Sequence, residues 1–213
     1  TVYASRADNF DWSFDTKTNV WSAAKLVLSV GRAIPMLNGS QITAVRDEAK
    51  TIPKGVFTPD NIIQGSFNWD ISMFKLNDED GVEVEYLDED TWKPETMLCL
   101  IGDEQGLNPK RVKINGVINR DKAYREGLHL RAKTIYQRES IKFKTGLEGH
   151  IPEVNSLISI VHDVPKWGSS GFILSENSGR LTLSEKVTFP DGQIHRVVLR
   201  RKDGSAGGPY TVI

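Results

Sequence analysis

Apolar positions follow two different periods along this chain. From 20 to 30 they fall at 20, 23, 24 and 27, and again at 21, 24 and 28, which is the spacing of a wide helical face. Thr18 or Asn19 can cap its start and Gly31 can close its end. The period then drops to two. Residues 33–37 and 41–45 read as strands joined at Asn38-Gly39, which predicts a type I′ turn because both central residues need positive φ. Pro35, lacking an N–H, assigns the first of them to a sheet edge. Val82, Val84 and Tyr86 alternate with Glu83 and Glu85, and this hairpin continues through 88–94 into a strand at 96–101. A second helix is predicted over 121–138, capped by Asn119 or Asp121. Tyr124, Leu128, Ala132 and Ile135 share one of its faces, expected to pack on a sheet containing Ile141 and Phe143. Gly127 would let a neighbouring element approach closely. Residues 141–144 alternate cleanly.

From 147 onward short strands are predicted at 157–161, 171–175, 181–189 and 194–201, with Asp191-Gly192 and Asp203-Gly204 as hairpin tips. The first 18 residues read as an extended lead-in anchored by Tyr3, Phe10, Trp12 and Phe14. The class is α+β, mostly β: a mixed helix-and-sheet domain over 1–148, followed by a small all-β, barrel-like domain over 149–213. The chain starts without Met and stops in the apolar run Tyr210-Thr211-Val212-Ile213, so both ends read as cut and a longer parent is expected.

Composition narrows the chemistry. A chain of 213 residues can bury a core without disulfide or metal staples. Its net charge of −1 gives no field that would draw it to nucleic acid or anionic lipid. Cys99, inside Met97-Leu98-Cys99-Leu100-Ile101, reads as a buried thiol acting as a small hydrophobe. No apolar stretch approaches the ~20 residues that span a bilayer. The four histidines lack zinc spacing; His162 is expected to sit at the surface or anchor a loop. There is no nucleophile elbow, P-loop or dinucleotide fingerprint. The acidic set at 78, 79, 80, 83, 85, 88, 89, 90 and 95 is dense, yet Asn77-Asp78-Glu79-Asp80-Gly81 lacks the ligand spacing and closing Glu of a calcium loop. These carboxylates read as solvated turn and strand faces. The basic residues Arg120, Lys122, Arg125, Arg131, Lys133 and Arg138 are interleaved with acids, and read as a solvated face or a subunit contact rather than a nucleic-acid stripe. No catalytic, cofactor-binding or metal-ligating residue is assigned, and no cofactor.

Four stretches, in order, resemble the tail-tip hub or host-specificity proteins of lambda-type long-tailed phages. They are 20–24 running through Gly31-Arg32-Ala33-Ile34-Pro35 to Asp47; Asn61-Ile62-Ile63-Gln64-Gly65-Ser66-Phe67 with 80–86 and Thr91-Trp92-Lys93; 119–128 leading into 141–145; and Gly146-Leu147-Glu148-Gly149-His150-Ile151-Pro152 with 157–163. Together they span about residues 18 to 190. The family tends to turn with Pro-Gly-Asp before the strand at 157, whereas here Glu153 follows Pro152.

The resemblance implies a hub domain over 1–148 that assembles at the distal end of a virion tail, typically as a trimer. Its partners would be other copies of itself, tail-tube and other tail-tip proteins, and a bacterial surface receptor reached through other domains of the parent chain. DNA would pass by without specific binding, and synthesis would be in the host cytoplasm. No catalytic residue comes with the resemblance. If a genome passes through the hub, acidic lumen groups would leave it free to slide, and Glu83 and Glu85 are the residues expected to face that lumen. Two other readings stay open. One is a carbohydrate-binding or carbohydrate-cleaving module, which would need an aromatic platform at Trp92, Trp167 or Trp69 beside a carboxylate. The other is the hub of a phage-derived gene-transfer or secretion machine.

Overall fold

The computed structural model describes residues 8–73, 78–165 and 167–212; Tyr3 and Asn77 lie outside them. In chain order the first elements are α1 (Val20–Ser29), β1 (Ala33–Asn38), β2 (Gln41–Arg46), β3 (Gly55–Phe57) and β4 (Asn68–Ile71). Then come β5 (Val82–Leu87), β6 (Pro94–Cys99), β7 (Lys110–Lys113), α2 (Arg120–Tyr136) and β8 (Glu139–Lys142). After a 3-10 turn at Leu147–His150 follow β9 (Ile158–Ile160), β10 (Ile173–Asn177), β11 (Arg180–Leu183), β12 (His195–Arg200) and β13 (Ala206–Val212). The protein is mostly β with two α-helices, as expected.

The chain forms two compact units, one of Thr1–Asp47 with Asp70–Ser140 and the other of Glu48–Trp69 with Ile141–Ile213. The boundaries between them fall within β4 and within β8.

The first unit is built on a three-stranded sheet of order β6-β5-β7, antiparallel on one side and parallel on the other. Strict alternation along β5 buries Val82, Val84 and Tyr86 and leaves Glu83 and Glu85 on the opposite face. The helix α2 covers the apolar face. Asn119 caps it, its side-chain oxygen accepting from the backbone N–H groups of Asp121 and Lys122. The resulting core joins Val30, Val82, Val84, Tyr86, Cys99, Val117 and Ala123. Cys99 is fully buried, as its apolar run predicts.

Two sequence expectations for this unit are corrected. The deepest positions of α2 are Lys122, Ala123, Glu126, Gly127 and Arg131, while Tyr124 is exposed. The helix therefore rests on β5 and β6, with the close approach at Gly127; of the expected face, Leu128 packs against this core while Tyr124 does not. In the β1–β2 hairpin Asn38 pairs with Gln41, so the two turn residues are Gly39 and Ser40. Gly39 alone of them has positive φ, +60°, which makes the turn II′ rather than I′.

In the second unit Phe57 and Ile62 are the buried large side chains. Phe57 lies on β3, which pairs in parallel with β9, and its ring meets Phe143 at 5.1 Å between centroids. The strands β10–β11 and β12–β13 form two separate hairpins. Gly204 turns the second, as expected. The first turns instead at Ser178-Gly179, both with positive φ, while Asp191-Gly192 lies in a loop between strands that do not pair. Among the described residues the strands of this unit pair two by two and no closed barrel forms.

Candidate functional site

The acidic run is consumed locally. The Asp80 carboxylate accepts the backbone N–H groups of Asn108 and Leu107 at 2.6 and 2.7 Å, and the Asn108 bond above all holds its carboxyl below the usual carboxylate value. Asp88 accepts from the N–H groups of Thr91 and Asp90 and from the Thr91 hydroxyl, which shapes the loop between β5 and β6. Asp78 pairs with Arg138 at 3.3 Å. Glu83 and Glu85 stand on the outer face of β5 and meet their register neighbours on β7: Glu83 takes Arg111 at 2.6 Å and Glu85 takes Lys113 at 2.7 Å. The face expected to be acidic is thus charge-balanced row by row.

The cations of α2 are used in the same way, with pairs that sequence does not announce. Glu126 accepts from Arg32 through Nε and Nη2, at 3.1 and 2.9 Å. Arg131, 4% exposed, binds both oxygens of Glu104 through Nε at 2.9 and 3.1 Å. Buried Lys122 donates to the carbonyl of Asn9, and burial lowers its pKa. Lys133 reaches Asp47 at 2.6 Å. Arg32 and Asp47 flank the β1–β2 hairpin and are joined by the Asp47 N–H to the Arg32 carbonyl at 2.8 Å. Both ends of the hairpin are therefore tied to α2, and Arg32 is held in the left-handed region, φ +55°. Lys122, Arg131 and Lys133 are thus engaged within the unit rather than on an exposed cationic stripe.

The hairpin and helix so anchored present little charge. From 18 to 45 the only charged residues are Lys25 and Arg32. No residue of α1 is buried; Val20 is 83% exposed, and Leu37 and Ile42, facing each other near the hairpin tip, are 64% and 66% exposed. The surface here is therefore apolar and nearly uncharged.

The residues that other chemistries would need are placed as follows. His162 stacks on Phe67 at 3.9 Å and its Nδ1 accepts from the Val164 N–H, a loop anchor. Trp69 and Trp167 meet edge to face at 5.1 Å. Trp92 is 68% exposed in the β5–β6 loop. A depression lined by Asp60, Asn61, Ile62, Ile63, Gly146 and Glu148 has its Asn61 amide engaged by Thr58 and Val56 and Glu148 paired with Arg200. Among the described residues no group of three His, Cys, Asp or Glu side chains is placed to hold a metal, and no helix is long and apolar enough to cross a membrane.

The fold is similar to that of a tail protein from Neisseria meningitidis MC58, which superposes with a TM-score of 0.52 and 12% identity, covering 76% of this chain and 51% of that one. In sequence the chain is similar to tip attachment protein J of Escherichia phage SECphi27, 28% identical over 186 residues. That match takes in 84% of this chain and 15% of the relative, so the chain spans about a seventh of the length of that protein. No family model matches. The sequence match is to a phage tip attachment protein and the fold neighbour is a tail protein, so the resemblance to tail-tip proteins expected from the four stretches holds.

Proposed function

We propose that this chain is the hub segment of a phage tail tip, a structural piece that closes the tail tube and links it to receptor-binding parts of a longer parent. The observation that carries this reading is the likeness to a tip attachment protein along most of the chain. The uncovered α1–hairpin surface supports it, since a free-standing domain has little reason to keep Val20, Leu37 and Ile42 in water. In this reading the parent forms a closed ring, a trimer, with tail-tube and other tip proteins as neighbours, and carries no catalytic step. The face holding Glu83 and Glu85 turns to the channel. There each acid cancels a cation of β7, so passing phosphates meet no uncompensated positive charge to capture them.

The test is positional. A peptide tag inserted at the exposed Ser178-Gly179 turn should place gold label at the distal end of tails in negative-stain images. Label elsewhere on the particle, or tails that lack it while the tagged protein is made and folded, would overturn the reading. Light scattering on the intact parent should give three copies, and a monomer would remove the ring from it.

A further inference from the structure

A histidine is enclosed where the β1–β2 hairpin meets α2. His129 is the single histidine in the stretches 1–47 and 70–140 that make up the first unit, since the other three fall at 150, 162 and 195. Its Nε2 is closed off from solvent and makes no hydrogen bond. That nitrogen lies 3.9 Å from Asp47 Oδ2, the oxygen that Lys133 already takes at 2.6 Å.

The charged groups that act on the ring come from both sides of this junction: Arg32 just before β1, Asp47 just after β2, and Glu126 and Lys133 on α2. One residue along on each element, Asp8 takes Arg46 and Arg125. Around the ring, two cations and two carboxylates balance while the imidazole is neutral. An added proton leaves an excess positive charge in a place closed to water. Burial above all, then Arg32 and Lys133, hold the imidazole below its ordinary value of 6.5, with Glu126 and Asp47 acting the other way.

The hairpin depends on this cluster. Among the described residues its strands pair only with each other, and both of its ends are tied to α2 by Arg32–Glu126 and Asp47–Lys133. Parting those ties brings Nε2 into water and carries Arg32 away from it, so the open state accepts a proton that the closed state resists. We propose that His129 makes the base of the β1–β2 hairpin a pH-sensitive latch: the neutral imidazole lets the hairpin close on α2, and protonation releases it. What is set free is the hairpin with exposed Leu37 and Ile42 at its tip, part of the surface that the hub reading leaves for neighbouring protein. The latch is a property of the chain itself and does not rest on that reading. A base whose pKa is lowered in the closed state favours closure in full above 6.5. That advantage shrinks as pH falls from 6.5, and the loss levels off below the lowered value.

Amide hydrogen exchange of the whole chain, with rates corrected for the intrinsic effect of pH, reads the latch. At neutral pH the amides of β1 and β2 should exchange through a local opening, ahead of those of the central strand β5. Between about pH 7.5 and 5.5 that opening should grow about threefold or more in the wild type. In His129→Gln it should stay level across the same range. Proton NMR of the His129 ring in the wild type needs no variant: its titration midpoint should lie below 6.5, and hairpin protection should stop falling near that midpoint. Hairpin amides that exchange only together with β5, protection that holds or rises in acid, H129Q with the wild-type pH response, or a ring midpoint at or above 6.5 would each overturn the proposal.

Discussion

Replacing Gly127 by Ala sets two known effects against each other at one atom. In the interior of a helix Ala is better than Gly by about 1 kcal/mol, so on α2 alone the change would stabilise. Gly127 is where the helix touches the sheet, however. A Cβ built there lies 2.3 Å from Cys99 Sγ, 2.8 Å from Val84 Cγ2 and 3.0 Å from Cys99 Cβ. Contacts this short require a shift of an ångström or more, against a fully buried pair of residues on two hydrogen-bonded strands. Overpacking of a tight core costs about 1–3 kcal/mol, and the closeness here argues for the upper end. The net expectation is a loss of about 2 kcal/mol, or about 4–8 °C in melting temperature for a chain of this size. Cys99→Ala removes the closest atom and alone should cost about 1 kcal/mol for the void it leaves. In the double variant the new methyl occupies that void. The combined loss should then fall short of the sum by at least about 1 kcal/mol in a denaturant-melt cycle. Stabilisation by G127A, or strict additivity with C99A, would show that α2 does not sit on Cys99 as described.

Glu104→Gln should cost about 2–3 kcal/mol, because it leaves the Arg131 guanidinium, 4% exposed, without its counter-charge. Arg131 also holds the Glu104 carboxyl below its ordinary value of 4.5. A lowered folded pKa gives stability that is complete above 4.5 and lost as pH falls through the lowered value, so E104Q should flatten the acid limb of the melting-temperature profile. Gly39→Ala meets open space and should cost about 1–2 kcal/mol from backbone conformation alone, read as a shift in the denaturant midpoint at unchanged slope. Val20→Lys with Leu37→Lys should change chain stability by less than about 1 kcal/mol, since both are mostly exposed; a loss of several kcal/mol in the same melts would mean that they are covered within the chain.

The β1–β2, β5–β6 and β12–β13 hairpins were legible because their signals are local, whereas the Ser178-Gly179 turn of β10–β11 was not marked. Alternation along 82–87 places Glu83 and Glu85 opposite the core, and Asp203-Gly204 marks its turn. The misread turn at 38–40 differs from the true one by a single residue: Asn-Gly and Gly-Ser both suit two-residue loops, and the choice follows from Asn38 pairing with Gln41, a fact of register. The strands β3, β4 and β7 carry too few alternating positions to signal themselves. The face of α2 was illegible for a deeper reason. Its buried stripe contains Lys122, Glu126 and Arg131, and a rule that assigns charge to solvent must put that stripe outside. Only their partners reverse the assignment: Asn9 lies 113 residues away, Arg32 94 and Glu104 27. None of them is visible from the helix itself.

The charge-poor segment at 18–45 shows the converse. Its apolar spacing was read correctly as a helix and a hairpin, and a wide apolar face ordinarily predicts burial within the chain. The structure anchors this segment firmly through Arg32, Asp47 and Lys133, so its exposure is not a matter of loose attachment. In the proposed hub that face is free for neighbouring protein. Charges on α2 and β5 instead find partners inside the unit, and Glu89 accepts from the side-chain amide of Asn119, which caps α2. Pairs that are partly buried are screened little, so added salt should barely move the melting temperature they support.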